Sequence, residues 1–138
     1  MSVLVDTTIW SLALRRRAHQ LSPAEERLVA EWADLVTSGR AVLTGPVHQE
    51  VLSGIRSNEV FEALREKLLA FHYLENLPGD HVQAARFFNL CRSRGVVGSH
   101  VDMLICALAH RYGLPIFTTD PDFLGYAKHL PIGLHEPA

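Results

Sequence analysis

The 138-residue sequence predicts an α/β fold, a single domain whose central parallel β-sheet carries helices on both faces. Three observations point there. Short apolar runs rich in β-branched residues, at positions 3–5, 41–43 and 115–117, are bounded by polar or turn-forming residues, as buried strands are. Segments of helical periodicity with recognisable start and stop signals alternate with them. The chain is 48% hydrophobic and 20% charged, within the range of one globular core. With no internal repeat, low-complexity stretch or linker, it reads as one domain over residues 1–138.

Val3, Leu4 and Val5 form the first strand, and Asp6 follows at its C-terminal end, the edge where open α/β sheets bind ligands. Asp6 alone could equally cap the next helix. Residues 7–14 can form that helix, which runs into Arg15, Arg16 and Arg17, cations suited to a helix C-terminus or to phosphate. Ser22-Pro23-Ala24-Glu25 is a helix start: a cap, a first-position proline and a capping-box glutamate. Leu28, Val29, Trp32, Leu35 and Val36 give this helix one apolar face until Gly39 stops it. The strand at 41–43 leads through Thr44-Gly45-Pro46 to a helix that turns Val47, Val51, Leu52 and Ile55 inward and carries Glu50 one turn in.

A helix over residues 58–71 and an extended piece at 73–77 come next. Pro78-Gly79-Asp80 opens a helix with Val82, Ala85, Phe87, Phe88 and Leu90 as apolar positions and Arg86, Arg92 and Arg94 on or near its polar side. After a glycine-rich break Ser99 is a natural cap, and Asp102, three residues on, is placed to complement the helix dipole and bond back to that cap. Residues 103–109 are apolar on nearly every side, the pattern of a helix buried on both faces, and Gly113 ends it. Residues 115–120 form a strand ending in Asp120. Pro121-Asp122-Phe123 starts a short helix, and 130–134 is expected to add a last edge strand.

No apolar run approaches a membrane span, and the opening lacks the basic region and apolar stretch of a signal peptide, so a cytoplasmic protein without membrane contact is expected. Cys91 and Cys106 show no metal-ligand spacing and read as buried free thiols. The formal charge is −2, but setting aside Asp6, Glu50, Asp102, Asp120 and Asp122 leaves 13 bases against 10 acids. Such a balance suits an acidic pocket with a mildly basic surround and neither requires nor excludes a nucleic-acid substrate.

Asp6 and Asp120 each end a strand, while Glu50 and Asp102 each occupy the first turns of a helix that follows a connection. Strand C-termini and the following helix N-termini share one edge of a parallel sheet, so four acids from four segments are expected to meet. Carboxylates held close repel, and a cation relieves them. Oxygen ligands favour hard divalent ions, Mg²⁺ or Mn²⁺, and no Cys/His pattern favours zinc. A carboxylate-held metal suits phosphodiester hydrolysis. There is no Walker-type loop, no Gly-x-Gly-x-x-Gly and no Gly-x-Ser-x-Gly elbow.

The stretches V-D-T-T-I-W, L-T-G-P-V-x-Q-E-V-L-x-G, S-x-x-D-x-L-I-C-A-L-A-x-x-x-G and F-T-T-D-P-D-F, in this order and spacing, resemble the PIN-domain ribonucleases, and within them the VapC-type toxins of bacterial toxin–antitoxin pairs. The resemblance spans nearly the whole chain and implies a Mg²⁺- or Mn²⁺-dependent endoribonuclease acting on structured RNA, such as transfer or ribosomal RNA loops. It also implies a VapB-like antitoxin and a homodimer. Position by position, Asp6, Glu50, Asp102 and Asp120 match the family's acidic quartet. Asp122 matches a further acid that holds metal, and Thr8 and Thr118 match hydroxyls that orient the site. Arg15, Arg16, Arg17, Arg92 and Arg94 are candidate RNA contacts. Pro121 departs from the family pattern, removing a donor and fixing the turn before Asp122. His48 and His100 read as polar neighbours of the acids rather than ligands.

Two other classes compete. A non-catalytic PIN-like module would bind RNA or protein without cutting, but the intact quartet speaks against it. A receiver-like or phosphatase domain using Asp6 as phospho-acceptor needs a lysine near the acids, and Lys128, the one lysine after Asp120, fits poorly.

Overall fold

The structure is a computed structural model and describes residues 1–137. Strands β1 (Val3–Val5), β2 (Ala41–Thr44), β3 (His72–Leu74) and β4 (Ile116–Phe117) form one parallel sheet in the order β3-β2-β1-β4. Leu4 pairs with Val42 on one side and with Ile116 on the other, which makes β1 central. Val3, Leu4 and Val5 are all fully buried. Successive strand residues point to opposite faces, so unbroken burial means that both faces are covered.

The cover comes from seven α-helices among the described residues. α1 (Thr7–Leu14) and α2 (Pro23–Thr37) connect β1 to β2, and α3 (Gly45–Leu52) and α4 (Asn58–Leu68) connect β2 to β3. α5 (Pro78–Ser93) and α6 (His100–Tyr112) then lead back across the sheet to β4, and α7 (Asp122–Ala127) follows it. Right-handed crossovers place α1–α4 on one face and the α5/α6 pair on the other, because the chain reverses its direction across the sheet after β3.

Local chemistry explains the ends. Ser22 and Glu25 form the expected reciprocal capping box at the start of α2. Gly39 and Gly113, both at positive φ (72° and 67°), release the chain from α2 and α6. Under the first face Trp10 lies edge-on to Trp32 and Phe71, with ring centroids 5.7 and 4.7 Å away, while its Nε1 donates to the Val5 carbonyl at 2.9 Å. On the second face Arg111, in the last turn of α6, donates from Nε to Asp80 Oδ1 at 2.6 Å and from Nη2 to the Glu75 carbonyl at 2.9 Å. Asp80 also accepts from the Leu77 N–H at 2.7 Å, so one buried carboxylate ties the end of α6 to the start of α5. Burial pushes the Asp80 carboxyl up, but Arg111 and that N–H outweigh it and hold it below the usual range.

Four expectations need correction. Residues 130–134 do not form a strand: Leu134 makes one isolated parallel bridge to Ile116, and Pro131 supplies no N–H to extend it. β4 ends at Phe117 rather than running to Asp120, because Thr118 turns toward Asp6. The third strand lies at His72–Leu74 rather than 73–77, and α4 stops at Leu68. Cys91 and Cys106 are buried and free, as expected. Among the described residues no helix is long and apolar enough to cross a membrane.

Trp10 is fully buried and anchors α1 to both an aromatic cluster and a strand carbonyl. Trp10→Ala should therefore cost about 3–5 kcal/mol in denaturant unfolding. A loss under about 1 kcal/mol would show that the cluster closes over the cavity.

Candidate active site

β1 and β4 run side by side with Val5 opposite Phe117, so the next residues, Asp6 and Thr118, leave the sheet together. Asp6 is only 4% exposed. It occupies the N-cap position of α1 with extended backbone (φ −75°, ψ 160°), yet its side chain makes no cap bond. The carboxylate is used elsewhere: Oδ2 accepts from Thr118 Oγ1 at 2.7 Å and from Thr8 Oγ1 at 3.2 Å. Both hydroxyls also accept backbone protons, Thr118 from the Asp120 N–H at 3.0 Å and Thr8 from the Thr119 N–H at 3.1 Å. Each threonine thus receives from the β4 turn and donates to Asp6, which fixes the direction of its own proton.

That turn delivers the next acids. The Asp122 N–H donates to Asp120 Oδ1 at 2.9 Å, and α7 begins there. Pro121, at φ −63°, fits the geometry and leaves Asp122 inside the site. From the other side Ser99 caps α6 by accepting from the Asp102 N–H at 3.0 Å. The Asp102 carboxylate does not bond back to the cap as expected; its Oδ2 accepts from Tyr126 Oη at 2.8 Å. Asp102, Asp120 and Asp122 consequently offer one oxygen each within 4.8 Å of one another. Asp6 and Glu50 are not part of that triad. Asp6 joins it through Thr118, and Glu50, exposed on α3, accepts from Thr7 Oγ1 at 2.7 Å.

The charges act on one another. Burial pushes the Asp6 carboxyl above its ordinary range against the hydrogen bonds of Thr118, the Thr7 backbone and Thr8, and Glu50 adds to the rise. Asp102 is raised first by burial and then by the nearby Asp6 and Asp120, with Tyr126 and Ser99 opposing. Burial, followed by the hydrogen bond to Asp102, pushes the Tyr126 phenol well up, so it remains a donor. Cys106, beneath Asp102 and Asp6, is likewise pushed up, chiefly by burial.

Two depressions flank the acids. A groove of about 550 Å³ between α3, α5 and α6 includes Glu50 and His100 in its wall. On the other side Arg15 and Arg16 line a basin of about 610 Å³ together with Thr8 and Thr119. Arg17 is exposed beyond them, and Arg92 and Arg94 are exposed at the end of α5, outside both depressions. His100 stacks on Phe88 (5.1 Å, 21°), and His48 Nδ1 lies 3.4 Å from Tyr73 Oη. Neither histidine belongs to the carboxylate triad.

The model of the PIN domain matches residues 3–129 of this sequence. The chain belongs to the PIN-domain family. Solved structures align over nearly the whole chain. FitAcB from Neisseria gonorrhoeae aligns with a TM-score of 0.75 at 20% identity, covering 98% of this chain and 97% of that one. VapBC2 from Rickettsia felis, bound to a DNA fragment from its promoter, aligns with a TM-score of 0.73 at 15% identity, covering 98% of each chain. VapC20 of Mycobacterium tuberculosis, a toxin that cleaves the sarcin-ricin loop, aligns with a TM-score of 0.70 at 19% identity, covering 96% of this chain and 99% of that one. At these identities the likeness is one of fold. No curated protein matches this chain by sequence.

Sequence reasoning on this PIN chain missed Thr7 and Tyr126. Tyr126 left a faint signal, since it follows Asp122 by four residues on a short helix and so shares its face. Thr7 left none. The donor set, carboxylate oxygens gathered from α6, α7 and the β4 turn, fits a hard divalent cation.

In the folded state Asp6 and Asp102 bind protons more tightly than in the unfolded chain. Their contribution to stability is complete below about pH 3.9, the unfolded carboxylate value, and is lost as pH rises through the higher folded values. Metal-free Asp102→Asn should therefore melt several degrees above the parent protein near pH 7 and lose that advantage below about pH 4. Calorimetry in chelator decides this, and a lower Tm near pH 7 would show that the bonds to the carboxylate outweigh its repulsion.

Proposed function

We propose that this PIN chain is the toxin of a type II toxin–antitoxin pair and a divalent-metal-dependent endoribonuclease, hydrolysing phosphodiester bonds in loops of structured RNA such as transfer or ribosomal RNA. The observation that carries the reading is the convergence of Asp102, Asp120 and Asp122 within 4.8 Å at a sheet edge whose centre is the buried Asp6. The fold neighbours support it, since they include toxin–antitoxin complexes and an RNA-cleaving toxin.

Asp102, Asp120 and Asp122 would hold Mg²⁺ or Mn²⁺ with Asp6 and Glu50 completing the set, and such an ion supplies an activated water and charge for the leaving oxygen. The chain's own residues supply order. Thr118 and Thr8 keep Asp6 in one rotamer and tie it to the turn that carries Asp120. Thr7 occupies one oxygen of Glu50, leaving the other, at the mouth of the groove, to position water or accept its proton. Arg15 and Arg16 bind the phosphate next along the strand, in the basin that begins at Thr8, with Arg17, Arg92 and Arg94 as outer contacts. Splayed bases in loops let a single strand enter such a crevice, which favours structured RNA loops over duplexes.

The partner in this reading is a VapB-like antitoxin that offers a basic side chain to the acids, and the working unit is a homodimer in the cytoplasm.

The test is cleavage of total RNA and a transfer-RNA panel by antitoxin-free protein in Mg²⁺, Mn²⁺ or chelator, beside Asp6→Asn. Metal-dependent cuts at discrete positions, reduced at least about 100-fold in the variant, are expected. Equal inactivity of both proteins throughout would instead favour the non-catalytic binding module. RNA binding should also weaken steeply with salt, and Arg15→Ala with Arg16→Ala should flatten the slope of log Kd against log salt by about 2. A slope identical to that of the parent protein would remove both arginines from the phosphate path.

A further inference from the structure

Tyr126 lies outside the acidic set and outside every motif that carries the family resemblance, yet it touches the site. Its hydroxyl donates to Asp102 Oδ2 at 2.8 Å across a sequence separation of 24 residues, from α7 to the first turn of α6. The ring is 2% exposed and lies edge-on to Phe123, with centroids 5.1 Å apart. Its seat is tight. A Cβ added at Gly98 would stand 3.1 and 3.2 Å from Tyr126 Cε1 and Cζ and 2.6 Å from Met103 Cε. The glycine just before the α6 cap thus makes room for the tyrosine that reaches the first acid of α6.

The same helix presents Asp122. Positions 122 and 126 lie four apart on α7 and share a face, so one short helix both contributes an acid and grips the acid opposite. Asp102 is then held twice: its N–H by Ser99 and its Oδ2 by Tyr126. The bond from Tyr126 fixes the carboxylate's rotamer and leaves lone pairs of the same group for a cation. We infer that Tyr126 is a positioning residue, which sets the rotamer of Asp102 and the spacing of α6 to α7 so that the Asp102, Asp120 and Asp122 oxygens converge on one cation. This rests on the metal-dependent reading and goes beyond it by assigning the device that assembles the cation site.

The probe is Mn²⁺ itself. Its binding to the parent protein, Tyr126→Phe, Gly98→Ala and Asp102→Asn is measured by calorimetry and by the electron paramagnetic resonance of free Mn²⁺, with melting recorded with and without the ion. Tyr126→Phe keeps every ring atom and should fold, but bind Mn²⁺ about 10- to 100-fold more weakly. Its metal-induced rise in Tm should shrink accordingly, and RNA cleavage should recover toward the parent rate at raised Mn²⁺. Gly98→Ala keeps the hydroxyl but crowds its ring, and should shift Mn²⁺ affinity in the same direction. A Tyr126→Phe protein whose Tm falls equally with and without Mn²⁺, at unchanged affinity, would make Tyr126 a packing residue only and overturn the inference. Binding by the parent that Asp102→Asn fully retains would overturn it too, by placing the ion elsewhere. Absence of Mn²⁺ binding in the parent would sink the metal-dependent reading together with it.

Discussion

A carboxylate that water barely reaches is the constraint on which this sheet edge depends. Burying Asp6 would cost several kcal/mol were it left charged and unpaired. Among the described residues no cation pairs with it; its side-chain donors are Thr118 and Thr8. The two hydroxyls also accept from the Thr119 and Asp120 N–H groups, so they tie Asp6 to the chain that follows β4. The early end of β4 and the placing of Asp120 and Asp122 opposite Asp102 follow from the same bonds. A single buried group thereby sets the path of the segment that supplies two other acids.

The elements most legible in the sequence were those with local punctuation. Ser22 and Glu25 close their capping box, Ser99 caps α6, and Gly39 and Gly113 stop their helices, because each effect acts within one turn of chain. The edge shared by Asp6, Glu50, Asp102 and Asp120 was legible for a topological reason: parallel strands and right-handed crossovers leave little choice of which ends meet. What escaped was tertiary competition for donors and acceptors. Asp102 had a plausible local partner in its cap and took Tyr126 instead, 24 residues away. Asp80 looked like a helix opener and also serves as the buried anchor of Arg111, 31 residues on. The stretch 130–134 has the apolar content of a strand, but Pro131 interrupts its donors, and one bridge is all that survives.

Such an edge conflicts with stability. Each unit by which a carboxyl is raised in the folded state is about 1.4 kcal/mol by which the charged form disfavours folding. Both Asp6 and Asp102 are raised, first by burial and then by their acidic neighbours. Only something positive can relieve that repulsion without altering the chain, and a ligand that binds the folded state alone at 100 times its Kd contributes about 2.7 kcal/mol. The field does not distinguish the source of the charge. A divalent ion among the oxygens and a basic side chain inserted by a protein partner answer the same repulsion and stabilise the same fold. In the proposed reading, then, cofactor and inhibitor compete for one electrostatic vacancy, and the chain without either is the least stable of the three forms. Burial of Asp6 and Asp102 would in that case serve two ends, sharpening the pull on a catalytic cation and making the inhibitory partner a stabiliser of the toxin that it silences.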